Sequence, residues 1–217
     1  MFHILCYGDS NTWGYTPCTG VRYDAATRWT GVMAKALGPT CVLHEDGING
    51  RLSVFDSPFK PFLNGLDTLP AALWSQKPLD LLVLMLGTND LKQHTAAQSA
   101  QGVGRLVGLA QAMDTLYPSG TPVFPRGPRI LVISPIAIGT PPPGDDLAGK
   151  REESLRFPAA FAAMCAQRGV SMLDAQQVCE PSGGRSGDGV HMTPESHRAL
   201  GLVAAEQVRA LLWGQAG

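Results

Sequence analysis

The sequence predicts an α/β protein whose parallel β-sheet is covered by helices on both sides. Five apolar runs of strand length alternate with helix-like segments along the 217 residues, a pattern typical of parallel sheets. Residues 79–86 form the clearest run, because they lack polar alternation and therefore fit a strand buried on both faces. Neither an internal repeat nor a dividing linker interrupts the pattern, so we expect one domain over residues 1–217.

The individual elements follow from hydrophobic periodicity. The strand-like runs are residues 2–7, 41–45, 79–86, 130–134 and 170–173, and the candidate helices are residues 26–37, 65–75, 96–116, 150–168 and 194–212. The last helix has the clearest start, because Thr193 is a suitable N-cap and Pro194 fits the first helical position. The proline-rich loop 135–149 is expected either to form one wall or lid of a pocket or to be a stiff surface excursion.

The composition excludes several classes of function. The formal net charge is −1 and charged residues make up 16% of the chain, so no basic surface indicates nucleic-acid binding. No uninterrupted apolar stretch is long enough to span a bilayer, and no membrane partner is expected. The five cysteines lack C-x-x-C spacing, which argues against a disulfide framework and a zinc site. We therefore expect a cytoplasmic protein without a metal or cofactor.

A serine lies where a parallel sheet binds its ligands. Ser10 stands in the segment Gly-Asp-Ser-Asn-Thr-Trp-Gly at residues 8–14, directly after the first predicted strand. Because ligands of such sheets bind at the carboxyl ends of the strands, Ser10 is expected at the mouth of a functional crevice. A serine hydroxyl is a poor nucleophile, however, unless a base removes its proton.

One histidine has a suitable position to be that base. His191 lies just before the last helix, and Asp188 precedes it by three residues on a glycine-rich loop. This spacing lets the carboxylate accept the Nδ1–H of the same imidazole, which leaves Nε2 free to face Ser10. A turn with a helix-capping cluster is the alternative interpretation of this pair. His197, by contrast, is expected on the surface of the last helix.

Two further residues follow predicted strands as Ser10 follows the first. Gly50 comes after the second strand, where the absence of a Cβ lets a backbone N–H approach a ligand, and Asn89 follows the most buried strand. Together with the Ser10 N–H, they supply the donors that acyl transfer needs for a developing oxyanion. Each is ambiguous alone, because Asn and Gly are also ordinary turn residues.

Four blocks of the sequence resemble those of the SGNH (GDSL-type) hydrolases and follow the order of that family. The blocks are Gly8-Asp9-Ser10-Asn11, Gly47 to Gly50, Gly87-Thr88-Asn89-Asp90 and Asp188-Gly189-Val190-His191. The chain is most similar to the branch of small bacterial arylesterases and acyltransferase or perhydrolase-type esterases, which shares Arg28-Trp29 and the run from Glu45 to Arg51. The four blocks span nearly the whole chain.

The resemblance implies a three-layer αβα flavodoxin-like fold and a serine esterase mechanism. It implies that Ser10 is the nucleophile, that His191 is the general base and then the acid, and that Asp188 orients the histidine. It also implies an oxyanion hole made by the Ser10 N–H, the Gly50 N–H and the Asn89 side chain. Relatives in this branch form homo-oligomers, so the same is expected here.

Four more residues are candidates for the substrate pocket. Asn11 stands where the family name has leucine, and it is expected to add a polar contact near the nucleophile. Tyr15 is the strongest candidate, because its counterpart in this branch is an aromatic residue near the site. Val190 is expected to narrow the pocket beside the histidine. Lys92 either borders the entrance or is a solvated charge.

The expected activity is hydrolysis of small-molecule esters with short acyl chains, aryl or alkyl, with water releasing the acyl group from Ser10. In a narrow apolar pocket, alcohols or hydrogen peroxide would compete with water and give acyl transfer or perhydrolysis. One alternative is a carbohydrate O-deacetylase of the same superfamily. An alternative of a different class is a nucleotide- or flavin-binding module, which the glycines at 102–108 do not favour because their spacing is not G-x-G-x-x-G.

Overall fold

The computed structural model describes residues 1–214, and within them five parallel strands form one sheet in the order β2-β1-β3-β4-β5. The strands are β1 Phe2–Gly8, β2 Cys41–Gly47, β3 Leu81–Met85, β4 Ile130–Ser134 and β5 Ser171–Asp174. The helices in this part of the chain are α1 Ser10–Trp13, α2 Trp29–Leu37, α3 Gly65–Gln76, α4 Ala96–Leu116, α5 Arg151–Ser154, α6 Phe157–Arg168, α7 Ala175–Cys179 and α8 Pro194–Trp213. The last three residues of the expected domain, 215–217, lie outside the described residues.

Two hydrophobic clusters, one on each face of the sheet, define the three layers. Helices α3, α4 and α6 pack on one face, and helices α2, α7 and α8 pack on the other. Every residue of β3 and β4 is buried, as expected for central strands of a parallel sheet covered on both sides. The predicted three-layer αβα fold with a central parallel sheet is therefore confirmed.

The largest boundary error concerns the helix predicted over residues 150–168. The structure divides this segment into α5 Arg151–Ser154 and α6 Phe157–Arg168. Pro158 is the physical reason, because its ring would clash with the carbonyl of Ser154 in a continuous helix. Helix α4, by contrast, has the predicted bounds, and Gly104 and Gly108 lie within it. A Cβ at either position would come within 2.9 Å of a side-chain atom of α6, so these glycines allow close packing.

The strand order places the ends of β1 and β3 at the point where the chain reverses direction across the sheet. From β1 the chain goes outward to β2 and then returns to β3 on the other side of β1. Crevices at such switch points are the usual ligand sites of open α/β sheets. Strand β1 ends there at Gly8. No side chain fits at this position, because a Cβ would lie 2.1 Å from Thr12 Oγ1 and 2.7 Å from the Met85 carbonyl oxygen.

None of the helices in residues 1–214 is both long enough and apolar enough to cross a bilayer.

Candidate active site

Helix α1 holds Ser10 at the carboxyl end of β1. Asp9 is the N-cap, and its Oδ1 accepts the Asn11 N–H at 2.9 Å. The helix ends after four residues at Gly14, whose φ of +87° lies in the left-handed region that glycine adopts freely. Ser10 is therefore fixed on a short turn between two caps, with only 7% of its surface exposed.

The structure brings Ser10, His191 and Asp188 into one hydrogen-bonded chain. The Oγ of Ser10 lies 2.9 Å from Nε2 of His191, and Nδ1 of His191 lies 2.6 Å from Oδ2 of Asp188. The second carboxylate oxygen, Oδ1, accepts the backbone N–H groups of Val190 and His191, both at 3.0 Å. Residues 188–191 thus form a turn, which was the alternative interpretation of the Asp188 and His191 pair. The same turn directs the imidazole toward the serine.

Asp188 has the electrostatic properties of a group that orients a histidine. Burial alone would raise its pKa, but the hydrogen bonds from the His191 imidazole and from the Val190 and His191 N–H groups outweigh burial and lower the pKa. The carboxylate is therefore ionised at neutral pH and accepts the Nδ1–H. This tautomer leaves the Nε2 lone pair directed at the Ser10 hydroxyl.

The predicted oxyanion donors line the same cavity as the serine. Gly50 has a φ of +84°, a conformation that favours glycine. The amide nitrogen of Asn89 donates one N–H to the Arg51 carbonyl at 3.2 Å, which leaves its second N–H for a ligand. The cavity has a volume of about 220 Å³ and is lined by Ser10, Tyr15, Asn49, Gly50, Asn89, Lys92, Asp145, Leu147, Asp188, Val190 and His191.

Three of the four candidate pocket residues lie in this cavity. The ring of Tyr15 stands 4.4 Å from the His191 ring, centroid to centroid. Val190 is buried beside the histidine, and Lys92 lies at the rim, where its Nζ is 4.0 Å from Oδ2 of Asp146. Sequence reasoning did not single out the lining residues Asn49, Asp145 and Leu147. The last two belong to the proline-rich loop 135–149, so this loop forms part of one wall.

Asn11 does not line the cavity, which corrects the expectation that it belongs to the substrate pocket. Successive residues of a helix point about 100° apart, so the side chain that follows Ser10 turns into the protein and is only 1% exposed. There its Oδ1 accepts the N–H of Met192, the residue after His191, at 3.0 Å. Asn11 therefore ties the histidine loop to the turn that carries the serine.

We expect Asn11→Leu to lower kcat about tenfold or more and to change KM much less. Leucine cannot accept the Met192 N–H, and a buried N–H without a partner costs about 1–3 kcal/mol. The loop then shifts to satisfy it, and a displacement of about 1 Å near reacting groups can cost about 10²-fold in rate. Steady-state kinetics on p-nitrophenyl acetate measure both parameters; equal kcat for Asn11→Leu and wild type would refute the coupling.

The sequence analysis named Arg51 only as the end of a run shared with a family branch. The structure shows that its side chain connects neighbouring strand ends at the site. Arg51 is 1% exposed and donates to the carbonyl oxygens of Gly8 and Asp46. Its guanidinium also pairs with the Asp46 carboxylate at 2.7 Å and stacks 3.8 Å from the Tyr7 ring centroid. Because its own carbonyl accepts from Asn89, Arg51 links the ends of β1 and β2 to the oxyanion side of the site.

His197 is fully buried, which corrects the expectation that it lies on the surface. Helix α8 packs against α2, and His197 faces that contact, where its Nδ1 accepts the N–H of Trp29 at 3.3 Å. Burial lowers its pKa to about 3, with smaller contributions from His191 and Arg28. His197 is thus neutral at physiological pH and stabilises the start of α2.

A family comparison agrees with this geometry. The model of the GDSL-like lipase/acylhydrolase family matches residues 6–199, a span that begins in β1 and ends in α8. The chain belongs to this family. It is a carboxylic ester hydrolase, and the family assignment favours this class over a nucleotide- or flavin-binding module.

The solved structures of two esterases are similar to this chain over nearly its whole length. An aryl esterase of M. smegmatis is 34% identical, with a TM-score of 0.89 over 98% of this chain and 100% of that chain. Est24, a carbohydrate acetylesterase from Sinorhizobium meliloti, is 32% identical, with a TM-score of 0.88 over 97% of this chain and 100% of that chain. No curated protein sequence matches the chain significantly.

Proposed function

We propose that this protein is a serine esterase that hydrolyses short-chain acyl esters through an acyl-enzyme on Ser10. The observation that carries the proposal is the chain from Ser10 Oγ through His191 to Asp188, with distances of 2.9 Å and 2.6 Å. Acyl transfer also needs donors that stabilise the developing oxyanion, and Gly50 and Asn89 line the same cavity as Ser10.

In the first half-reaction, His191 Nε2 accepts the hydroxyl proton as Ser10 Oγ bonds to the ester carbonyl carbon. The carbonyl oxygen becomes an oxyanion and accepts the N–H groups of Ser10 and Gly50 and the free amide N–H of Asn89. The imidazolium then protonates the alkoxy oxygen, the carbon–oxygen bond breaks, and the alcohol leaves. The acyl group remains on Ser10 as an ester.

In the second half-reaction, water takes the place of the alcohol. His191 removes one proton from the water as its oxygen bonds to the acyl carbon, and the oxyanion forms in the same hole. Collapse of this intermediate breaks the bond to Ser10, and the imidazolium returns the proton to Oγ. The products are the carboxylic acid and the free enzyme, and the Asp188 carboxylate stabilises the imidazolium in both steps.

The dimensions of the cavity support small esters. Its volume of about 220 Å³ lies below the range of about 300–1,000 Å³ that is typical of pockets for drug-sized ligands. Tyr15 gives one wall an aromatic surface next to His191, on the side where the leaving group must receive its proton. An aryl leaving group fits this surface, and the similarity to an aryl esterase supports the same substrate class.

A carbohydrate O-acetyl ester is the second candidate. The similarity to Est24, described as a carbohydrate acetylesterase, is nearly as high as that to the aryl esterase. The rim of the cavity also carries polar groups that suit a sugar, including Asn49, Lys92 and Asp145.

We expect the two candidates to separate in a comparison of p-nitrophenyl acetate with an acetylated monosaccharide. Both substrates transfer the same acetyl group but differ in the reactivity of the leaving group, so each kcat/KM is divided by the rate constant for hydroxide-catalysed hydrolysis of the same ester. The aryl-ester proposal predicts that this normalised kcat/KM is at least about tenfold higher for the aryl acetate. A preference of that size for the sugar ester would assign the second function instead.

We also propose that alcohols compete with water for the acyl-enzyme. Ser10 is 7% exposed, and Val190 and Leu147 give the cavity an apolar lining that suits an alcohol better than bulk water. In buffered ethanol or benzyl alcohol, we expect a new ester to accumulate alongside the acid, with a yield that rises with alcohol concentration. Gas chromatography of both products measures the partition, and acid as the sole product at every alcohol concentration would disprove acyl transfer.

A homo-oligomer and a cytoplasmic location stay predictions. Light scattering coupled to size-exclusion chromatography measures the first, and fractionation of the native cells measures the second.

A further inference from the structure

The proline-rich loop 135–149 directly contacts the turn that carries the catalytic histidine. The N–H of Gly139 donates to the carbonyl oxygen of Gly189 at 2.7 Å, although the two glycines are 50 positions apart in the sequence. Gly189 lies between Asp188 and His191, so this hydrogen bond joins the loop to the segment that holds both residues. We call residues 139–141 the support segment.

The contact between the support segment and Gly189 leaves no space for a side chain. Gly189 has a φ of +73°, and a Cβ at this position would lie 2.7 Å from the carbonyl carbon of Thr140 and 2.7 Å from the nitrogen of Pro141. A Cβ on Gly139 would lie 3.2 Å from the Gly189 Cα. Because non-bonded carbon atoms pack at about 3.5–4.0 Å, an alanine at either glycine would force the two backbones apart.

Contacts with α5 and α7 fix the residue that precedes the support segment. The Ile138 N–H donates to Ser154 Oγ at 2.8 Å, and the Ile138 carbonyl oxygen accepts from the Arg151 guanidinium at 2.9 Å. Gln176 in α7 donates to the Ser154 carbonyl oxygen at 2.8 Å. Pro141, at the other end of the segment, is buried and has a fixed φ. The support segment therefore resists displacement, and the catalytic turn is the part that must yield to an added side chain.

The catalytic turn transmits such a displacement to the imidazole, because the turn is closed by its own hydrogen bonds. The Ser186 carbonyl oxygen accepts the Gly189 N–H at 2.9 Å, and the His191 carbonyl oxygen accepts the Ser186 N–H at 2.6 Å. The Asp188 carboxylate also accepts the His191 N–H. A shift of Gly189 therefore moves His191 with it and changes the distance from Nε2 to Ser10 Oγ.

We propose that the support segment positions the catalytic histidine, with Gly189 as the positioning residue through which it acts. The proposal rests on the serine esterase function proposed above. Neither Gly189 nor any residue of 139–141 lines the catalytic cavity, so their effect on the rate passes through His191 and not through contact with the substrate. The proline-rich loop is thus a fixed support for the base rather than a lid that opens over the cavity.

The first test compares Gly189→Ala with Gly149→Ala in the hydrolysis of p-nitrophenyl acetate. Gly149 lies in the proline-rich loop with a φ of +75°, and a Cβ there would meet no atom within 4 Å. Both variants place alanine at nearly the same positive φ, but only Gly189→Ala pushes against the support segment. We expect Gly189→Ala to lower kcat about 10²-fold with KM within about threefold of wild type, and Gly149→Ala to lower kcat less than about twofold.

The second test approaches the contact from the support segment and decides the matter if Gly189→Ala does not fold. Gly139 is not at positive φ, so alanine fits its backbone conformation. Its Cβ would lie 2.6 Å from Cδ of Arg185, and Arg185→Ala removes that clash. In the Arg185→Ala background, Gly189 is then the nearest neighbour and must move by a few tenths of an ångström. We expect Gly139→Ala in this background to lower kcat about three- to tenfold relative to Arg185→Ala alone.

The leaving group separates a displaced histidine from a loss of folded protein. A displaced His191 protonates the departing oxygen poorly, which matters for benzyl acetate and little for p-nitrophenyl acetate, because p-nitrophenolate leaves without a proton. In Gly189→Ala and the double variant, kcat/KM is therefore expected to fall at least about threefold more for benzyl acetate. A smaller amount of folded enzyme would lower both values equally.

Three results would overturn the proposal. They are equal kcat values for Gly189→Ala and Gly149→Ala, equal kcat values for the double variant and Arg185→Ala, and an equal loss of kcat/KM with the two esters. The failure of the esterase function looks different, because wild type then hydrolyses neither ester or Ser10→Ala hydrolyses them equally well.

Discussion

Ser10→Ala is expected to lower kcat for p-nitrophenyl acetate by at least about 10⁴-fold, because the variant has no atom that can carry the acyl group. KM is expected to change little, since the side chain is small and the cavity keeps its walls. The residual rate comes from binding and from the oxyanion donors acting on a water molecule. Stopped assays with purified protein, corrected for spontaneous hydrolysis, measure the loss.

The thermal unfolding midpoint separates this result from damage to the fold. Ser10 lies in α1, where Asp9 caps the helix through the Asn11 N–H rather than through the serine side chain. The thermal unfolding midpoint of Ser10→Ala is therefore expected to stay close to that of wild type. Retention of more than about a hundredth of the wild-type kcat would mean that another group carries the acyl chain.

Asp188→Asn is expected to lower kcat about 10⁴-fold with little change in the backbone. The Oδ1 atom accepts two backbone N–H groups of its own loop, so the asparagine oxygen must keep that position. The NH₂ group then replaces Oδ2 and donates to Nδ1 of His191. The imidazole is forced to carry its proton on Nε2, where it faces the Ser10 hydroxyl and cannot accept from it.

The pH dependence distinguishes this mechanism from a general loss of structure. With Asp188→Asn, the neutral histidine holds the wrong tautomer, so raising the pH does not restore the wild-type rate. If the kcat/KM of Asp188→Asn recovered to within about tenfold of wild type at high pH, Asp188 would act through its charge alone and not by fixing the tautomer of His191.

The sequence was sufficient to predict the parallel sheet, the helical layers on its two faces, and the residues that meet at the carboxyl edge of the sheet. Alternating apolar runs define strands whose ends converge, so Ser10, Gly50 and Asn89 had to approach one another in any parallel sheet with this connectivity. Asp188 and His191 are three residues apart in one loop. A contact between such near neighbours depends on local geometry, so it can be predicted from the sequence without knowledge of the rest of the fold.

Other features depend on tertiary packing that periodicity does not encode. The direction of the Asn11 side chain follows from the rotation of a four-residue helix whose caps are visible only in three dimensions. His197 is buried because α8 presents it to α2, although its neighbours in sequence are polar. The stacked pair Phe55 and His94 joins the segment after β2 to the segment after β3, although 38 positions lie between the two residues in the sequence.

The central claim is that Ser10 carries the acyl group, and covalent trapping tests it most directly. A p-nitrophenyl alkylphosphonate transfers its phosphonyl group to an activated serine and releases p-nitrophenol, so intact mass spectrometry counts the adducts and peptide mapping locates them. We predict one adduct per wild-type chain on the peptide that contains Ser10, and none on the Ser10→Ala variant. An adduct on a different residue, or labelling of Ser10→Ala at the wild-type rate, would contradict the mechanism.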